Sequence, residues 1–128
     1  MSVFTDAELG YLRSERRLAR IATVGADQTP HVTPVGWHLA DDATVIEVSG
    51  NQLADTKKFR DVTRTPRAAI VIDDLASIDP WRVRGVEVRG RAEAIQSPEP
   101  LIRIHPERII SWGLDGERSA RTVTAGTS

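Results

Sequence analysis

The stretch T-P-H-V-T-P-V-G-W-H-L, from Thr29 to Leu39, alternates β-branched and aromatic residues with others and carries two prolines four positions apart. Threonine, valine and tryptophan favour a pleated strand, whereas proline has no N–H to give to a ladder. Pro30 and Pro34 share one parity, so the missing donors fall on one side of the strand and the other side stays intact for pairing. The stretch predicts an edge strand bearing Thr33, Val35 and Trp37, with free carbonyls and the Gly36 amide along its margin. Two readings of that margin stand side by side. Either it receives a planar ligand or a second subunit, or the prolines guard an edge against aggregation.

Outward from this strand, Ala19 to Val24 forms its partner, with Gly25-Ala26-Asp27-Gln28 as the turn between them. Ala40-Asp41-Asp42-Ala43 makes a second turn, and Thr44 to Ser49 a third strand, which completes a meander. Ahead of it, Thr5 and Glu8 have capping-box spacing, which predicts a helix from about Asp6 to Arg16. Asn51 to Arg64 returns to helical period and stops at Thr65-Pro66. Arg67 to Asp73 is a short apolar strand. Arg84 to Ala94 alternates over its whole length, with Val86, Val88, Gly90, Ala92 and Ala94 on one face and Glu87, Arg89, Arg91 and Glu93 on the other. Leu101 to Leu114 reads as a strand pair or one bent strand broken at Pro106, and the polar tail from about Asp115 as loose. The expected fold class is mainly β: a six-stranded antiparallel barrel with short flanking helices in a single domain, residues 1–128. An open α+β sandwich is the competing architecture.

Composition narrows the function. The chain has no cysteine and three histidines, His31, His38 and His105, none at metal-ligand spacing on a helix. This excludes disulfides and thiolate chemistry and leaves no metal site to expect. Basic and acidic residues number 17 and 18, so no global field draws in nucleic acid, and no window approaches the roughly 18 apolar residues of a membrane span. No export signal is recognisable at the N-terminus, and a cytoplasmic location is the expectation.

Any anion must then be captured locally. The two lysines, Lys57 and Lys58, are adjacent, and Asp55-Thr56-Lys57-Lys58 falls at the start of the middle helix, where unpaired amides and the positive dipole end favour an anion. Thr56 and Ser49 add hydroxyls, and Gly50 permits close backbone approach. Together they read as a phosphate site; taken alone, adjacent lysines are a solvated helix face.

The order and spacing of G-A-D-Q-T-P-H-V-T-P-V, V-S-G, and T-K-K-F-R-D-V-T-R-T-P-R-A-A-I-V-I-D-D resemble the flavin/deazaflavin split-barrel family, which is similar to pyridoxamine 5'-phosphate oxidase. The segments D-P-W-R-V-R-G-V-E-V-R-G-R-A-E and I-R-I-H-P-E-R-I-I-S-W-G-L resemble its actinobacterial branch, which uses coenzyme F420 and includes reductases of tetracycline biosynthesis. The likeness runs from about Thr5 to Leu114. It implies a split-barrel homodimer with two cofactor sites at the interface, Thr33, Pro34 and Val35 lining the ring, and Ser49, Lys57 and Lys58 holding the phosphate. It also implies that Trp81 and Arg84 come from the partner subunit, and that Trp37 and Trp112 border the substrate or else pack structurally. Arg60, Arg64 and Arg67 are candidates for the longer acidic tail of F420. Two departures stand out: Gly36 precedes Trp37 where relatives often place an aromatic, and the chain is short after Ala94.

The implied activity is hydride transfer between F420 and a small organic substrate, with no nucleophilic residue required and no catalytic residue identifiable. Solvent, Tyr11 and His38 are the candidate proton donors. The alternatives are an FMN-binding oxidase or reductase on the same barrel, and a non-catalytic carrier of a cofactor or tetrapyrrole.

Overall fold

The computed structural model describes residues 2–123. Helix α1 spans Asp6–Ser14 and opens with the expected box: the Glu8 N–H donates to the Thr5 hydroxyl at 3.1 Å, and the Thr5 N–H to the Glu8 carboxylate at 2.9 Å. Strands β1 (Ala19–Val24), β2 (Pro30–Leu39) and β3 (Ile46–Ser49) form the meander. A 3-10 turn, Leu53–Asp55, leads into helix α2 (Lys57–Arg64), so the helical stretch is in two pieces. Strands β4 (Arg67–Ser77), β5 (Arg82–Ile95) and β6 (Leu101–Trp112) follow, then a short β7 (Ser119–Thr122). The sheet runs β3-β2-β1-β4-β5-β6-β7, and β3 also pairs with β6 through Ile46↔Ile104 to Val48↔Ile102. That last pairing closes six strands into a barrel and excludes the open sandwich.

The alternation of β5 is borne out: Val86, Val88 and Ala92 are buried, and Arg89 and Arg91 are exposed. The barrel interior is filled mainly by Ile21, Ile46, Ile70, Ile72, Val86, Val88, Ile102, Ile104 and Ile109, all essentially inaccessible. Leu12 and Tyr11 of α1 join this core from one side, and Phe59 and Val62 of α2 from another.

Three expectations need correction. Pro106 does not break β6. The register passes from Gly90↔Pro106 to Arg89↔Arg108, so Glu107 is the extra residue of a β-bulge that absorbs the proline without ending the strand. The tail from Asp115 is not loose throughout: β7 pairs with β6, and Arg121 donates to the Glu8 carboxylate at 2.7 and 2.8 Å, tying the strand to α1. Residues 124–128 lie outside the described residues. Thirdly, β2 is not an edge along its whole length. Its first half, Pro30 to Val35, pairs with β1 only, whereas Gly36 to Leu39 pairs with β3 only. The strand hands over from one neighbour to the other, and the Gly36 position, counted above as free, lies opposite Ser49.

Pro30 and Pro34 do fall on one side of β2. The Gly25 N–H donates to the Thr29 carbonyl at 3.0 Å, which makes Gly25↔Thr29 a hydrogen-bonded pair. Alternate positions, Val24↔Pro30 and Arg20↔Pro34, are then the non-bonded ones. Both proline nitrogens therefore point away from β1, toward the side that no strand covers among the described residues. Between them the Val32 N–H is the one donor that this open half-edge presents, beside the carbonyls of Pro30, Val32 and Pro34.

Candidate functional site

Thr33 and Val35 share the inward parity of β2, Val35 being buried, while Pro34 and Val32 face outward, Val32 being 70% exposed. The uncovered half-edge runs from Pro30 to Val35, and beyond it β3 ends at Ser49, followed by Gly50 and the 3-10 turn. The fold thus sets Ser49 directly against Gly36, one residue past the half-edge.

Helix α2 begins at Lys57, as the phosphate reading requires, but its polar groups are already partly committed. The Thr56 hydroxyl accepts from the Phe59 N–H at 3.3 Å and donates to the Leu53 carbonyl at 2.6 Å, so it serves as the N-cap. The Lys57 ammonium donates to Asp61 at 3.0 Å, and the Thr23 hydroxyl donates to the other oxygen of the same carboxylate at 2.8 Å. Asp61 is only 3% exposed. Burial works to raise its pKa, but the bonds from Lys57 and Thr23 outweigh it and keep the group ionised. Lys58 is half-buried and makes no ion pair or side-chain hydrogen bond among the described residues. Of the two lysines it is the one with its charge uncommitted.

His31 and Asp61 join the lysines at this site. The β1–β2 turn brings His31 Nε2 and Lys57 Nζ together over Gly25, where a Cβ would lie 3.1 and 3.2 Å from them. A side chain there would crowd those two groups and the Asp27 carboxylate, 3.3 Å from the same point, so the glycine leaves them room. The i, i+4 spacing of Lys57 and Asp61 was the available signal; nothing local to the sequence joins His31 to them.

Trp81 and Arg84 stand apart from this cluster, on the β4–β5 hairpin and the start of β5. Trp81 is 68% exposed. Arg84 donates twice to Asp74, at 2.7 and 3.0 Å, and Asp74 also takes Tyr11 Oη at 2.8 Å and Arg17 Nε at 3.0 Å. The Arg17 guanidinium lies 3.9 Å from the centroid of the Tyr11 ring. Hydrogen bonds from Arg84, against the opposing effect of burial and with help from Tyr11 and Arg17, hold the Asp74 carboxyl well below the ordinary carboxylate range. Burial and the Asp74 bond push the Tyr11 phenol up. Tyr11 is therefore committed to a structural carboxylate, which weakens its candidacy as a proton donor. His38 is exposed, with Nε2 2.9 Å from Glu47.

Asp74 and Glu8 contribute to the acid limb of stability, together with Asp61, Glu47 and Glu93, whose pKa values are also lowered. Burial alone would raise Glu8, but hydrogen bonds from Arg121, the Thr5 N–H and Ser111 bring it below its usual value. These groups have folded pKa values below their unfolded ones, so their contribution is complete above about pH 4 to 5 and is lost as pH falls through the folded values. The urea midpoint is expected to drop steeply between about pH 5 and pH 3, and Glu8→Gln to flatten that drop. An unchanged midpoint over this interval would contradict the assignment.

A closed six-stranded barrel with two helices and an open half-strand beside a helix start defines a known class. The chain matches the pyridoxamine 5'-phosphate oxidase family over residues 5–124 and belongs to it. It shares 38% identity, over 95% of its length and 94% of the relative's, with the 5a,11a-dehydrotetracycline/5a,11a-dehydrooxytetracycline reductase of Streptomyces rimosus. Solved structures repeat the fold. A conserved hypothetical protein from Mycobacterium tuberculosis superposes with a TM-score of 0.69 at 23% identity, over 98% of this chain and 96% of that one. An F420 reductase does so with a TM-score of 0.60 at 18% identity, over 78% and 94%.

Proposed function

We propose that the protein is an F420-dependent oxidoreductase acting on a small organic substrate as a homodimer. The observation that carries this reading is the pairing gap of β2: a half-edge with one donor, Val32 N–H, flanked by two donor-less prolines and lying on the side where β3 stops. A planar heterocycle with polar edge atoms matches such a strip, with Thr33, Pro34 and Val35 beside it. Ser49, Gly50, the α2 start at Thr56 and Lys57, and above all Lys58 would hold the phosphate. The similarity to the dehydrotetracycline reductase supports the redox class and a polyoxygenated substrate.

When bound, the deazaflavin supplies the hydride chemistry. The chain's own part is to bind, orient and exclude water. Lys58 contributes a compact charge for an anion, and the Lys57–Asp61–Thr23 chain fixes the helix start against β1 so that this charge is held in place. Dimer formation is supported by the outer sheet face over β2, β1 and β4. Pro30, Val32, Pro34, Ala22, Val24, Ala69 and Val71 form a small apolar patch there, bordered by the exposed Arg20–Asp73 ion pair. Trp81 and Arg84 of a second copy are the proposed remaining wall, and Arg60, Arg64 and Arg67 the proposed partners of the acidic tail.

Titration of the purified protein with F420 and with FMN tests the proposal. F420 is expected to bind more tightly, and Lys58→Ala to weaken it by about 1.5–3 kcal/mol, the loss of a charge-assisted hydrogen bond. Lys57→Ala is expected to cost mainly stability, about 1–3 kcal/mol, because it strips the buried Asp61 of its cation. Tighter binding of FMN would replace the cofactor assignment, and undiminished affinity in Lys58→Ala would remove the phosphate site. Cofactor binding without turnover across a broad substrate panel would favour a carrier.

A further inference from the structure

The hand-over in β2 leaves a second open stretch. Beyond Ala19↔Val35 the strand has no partner on the β1 side among the described residues, because the chain before Ala19 peels away as the α1–β1 connection. Odd-numbered residues of β2 exchange hydrogen bonds with β1, so the backbone groups of Trp37 and Leu39 point into this gap, and neither has a backbone partner there among the described residues. The gap is a groove of about 900 Å³ between Arg13–Leu18 and Val35–Asp41. Its floor includes Leu12, Val35 and Trp37. The Trp37 indole is fixed by an Nε1–H bond to the Arg17 carbonyl at 2.7 Å. Arg13 and Arg16 line the other wall, both exposed and neither in an ion pair among the described residues; the neighbouring Arg17 is consumed by Asp74 and Glu15.

An apolar floor with an oriented aromatic, two open backbone positions and two uncommitted guanidiniums fits a flat organic body carrying acidic oxygens. Asp41 and Glu15 are the acidic members of the lining, and Glu15 already faces Arg17. A peptide strand would need a longer open ladder than Gly36 to Leu39 provides. We propose that this groove binds a flat, apolar-bodied organic anion; that this anion is the substrate rests on the oxidoreductase reading above. The groove meets the half-edge at Val35, so the two ligands would share that residue.

The test uses the full chain and calorimetric titration with 1-hydroxy-2-naphthoate, which sets a phenol beside a carboxylate on a flat ring, against neutral 1-naphthol. The naphthoate is expected to bind about tenfold or more tightly than 1-naphthol, and the double variant Arg13→Ala/Arg16→Ala to erase that preference. Trp37→Phe, which keeps an aromatic ring but loses the bond to Arg17, is expected to weaken both probes. Equal affinity for the two probes, or a preference that survives the double variant, would overturn the proposal. F420 titrated in parallel separates the two readings. Naphthoate binding without F420 binding removes the F420 reading and leaves the groove standing; F420 binding without naphthoate binding removes the groove alone.

Discussion

Asp74→Ala is expected to lower stability by about 3–4 kcal/mol, seen as a fall of roughly 10–15 °C in Tm. This one carboxylate accepts from Arg84 twice, from Arg17 and from the Tyr11 hydroxyl, and so joins β4, β5, α1 and the α1–β1 connection. The Arg17 side chain is only 6% exposed, with Glu15 as its remaining acid at 3.3 Å. Removing Asp74 leaves a buried cation largely uncompensated, which is the expensive way to break an ion pair. The loss falls toward the lower end for such changes because Asp74 and Arg84 keep about a third of their exposure, at 30% and 31%, and water screens part of the attraction. Asp74→Asn keeps the shape and one acceptor and is expected to cost less than half as much. Equal Tm values for the alanine variant and the parent would refute the network's role.

Gly90→Ala is expected to be at least as damaging, about 3 kcal/mol or more, and to reduce the yield of folded protein. A Cβ at Gly90 would lie 1.9 Å from the His105 carbonyl oxygen and 3.0 Å from the Glu107 nitrogen, both backbone atoms that no rotamer change can move. The position faces the β6 bulge, where Glu107 is extra and Pro106 interrupts the donors. The close approach of β5 to β6 and the glycine are therefore one feature. Denaturant unfolding of the variant measures the cost; an unchanged midpoint would mean that the strands separate there at no expense.

The periodic elements were legible in the sequence because their signals are local. The alternation of β5 and the Thr5–Glu8 box each involve residues a few positions apart. What the sequence hid was pairing between distant segments. S-A-R-T has no apolar face of its own, and β7 is held by Arg121 reaching Glu8, 113 positions away. Pro106 looks like a break because a bulge depends on the opposing Gly90. The prolines of β2 were read with the correct parity, yet the length of the open edge was not readable: it is set by where β1 begins and β3 ends. In the candidate site, the α2 start and its lysines were visible. That Lys57 would be claimed by Asp61, leaving Lys58 as the uncommitted cation, follows only from the packing of α2 against Thr23.

The most direct measurement of the central claim is amide hydrogen exchange at Val32 with and without saturating F420, at a protein concentration that keeps the assembly constant. Val32 N–H is the single donor on the half-edge between Pro30 and Pro34. A ring seated there is predicted to slow its exchange by about tenfold or more, equivalent to roughly 1.4 kcal/mol of added protection. Exchange at Val32 that is unaltered while F420 is demonstrably bound would contradict the account.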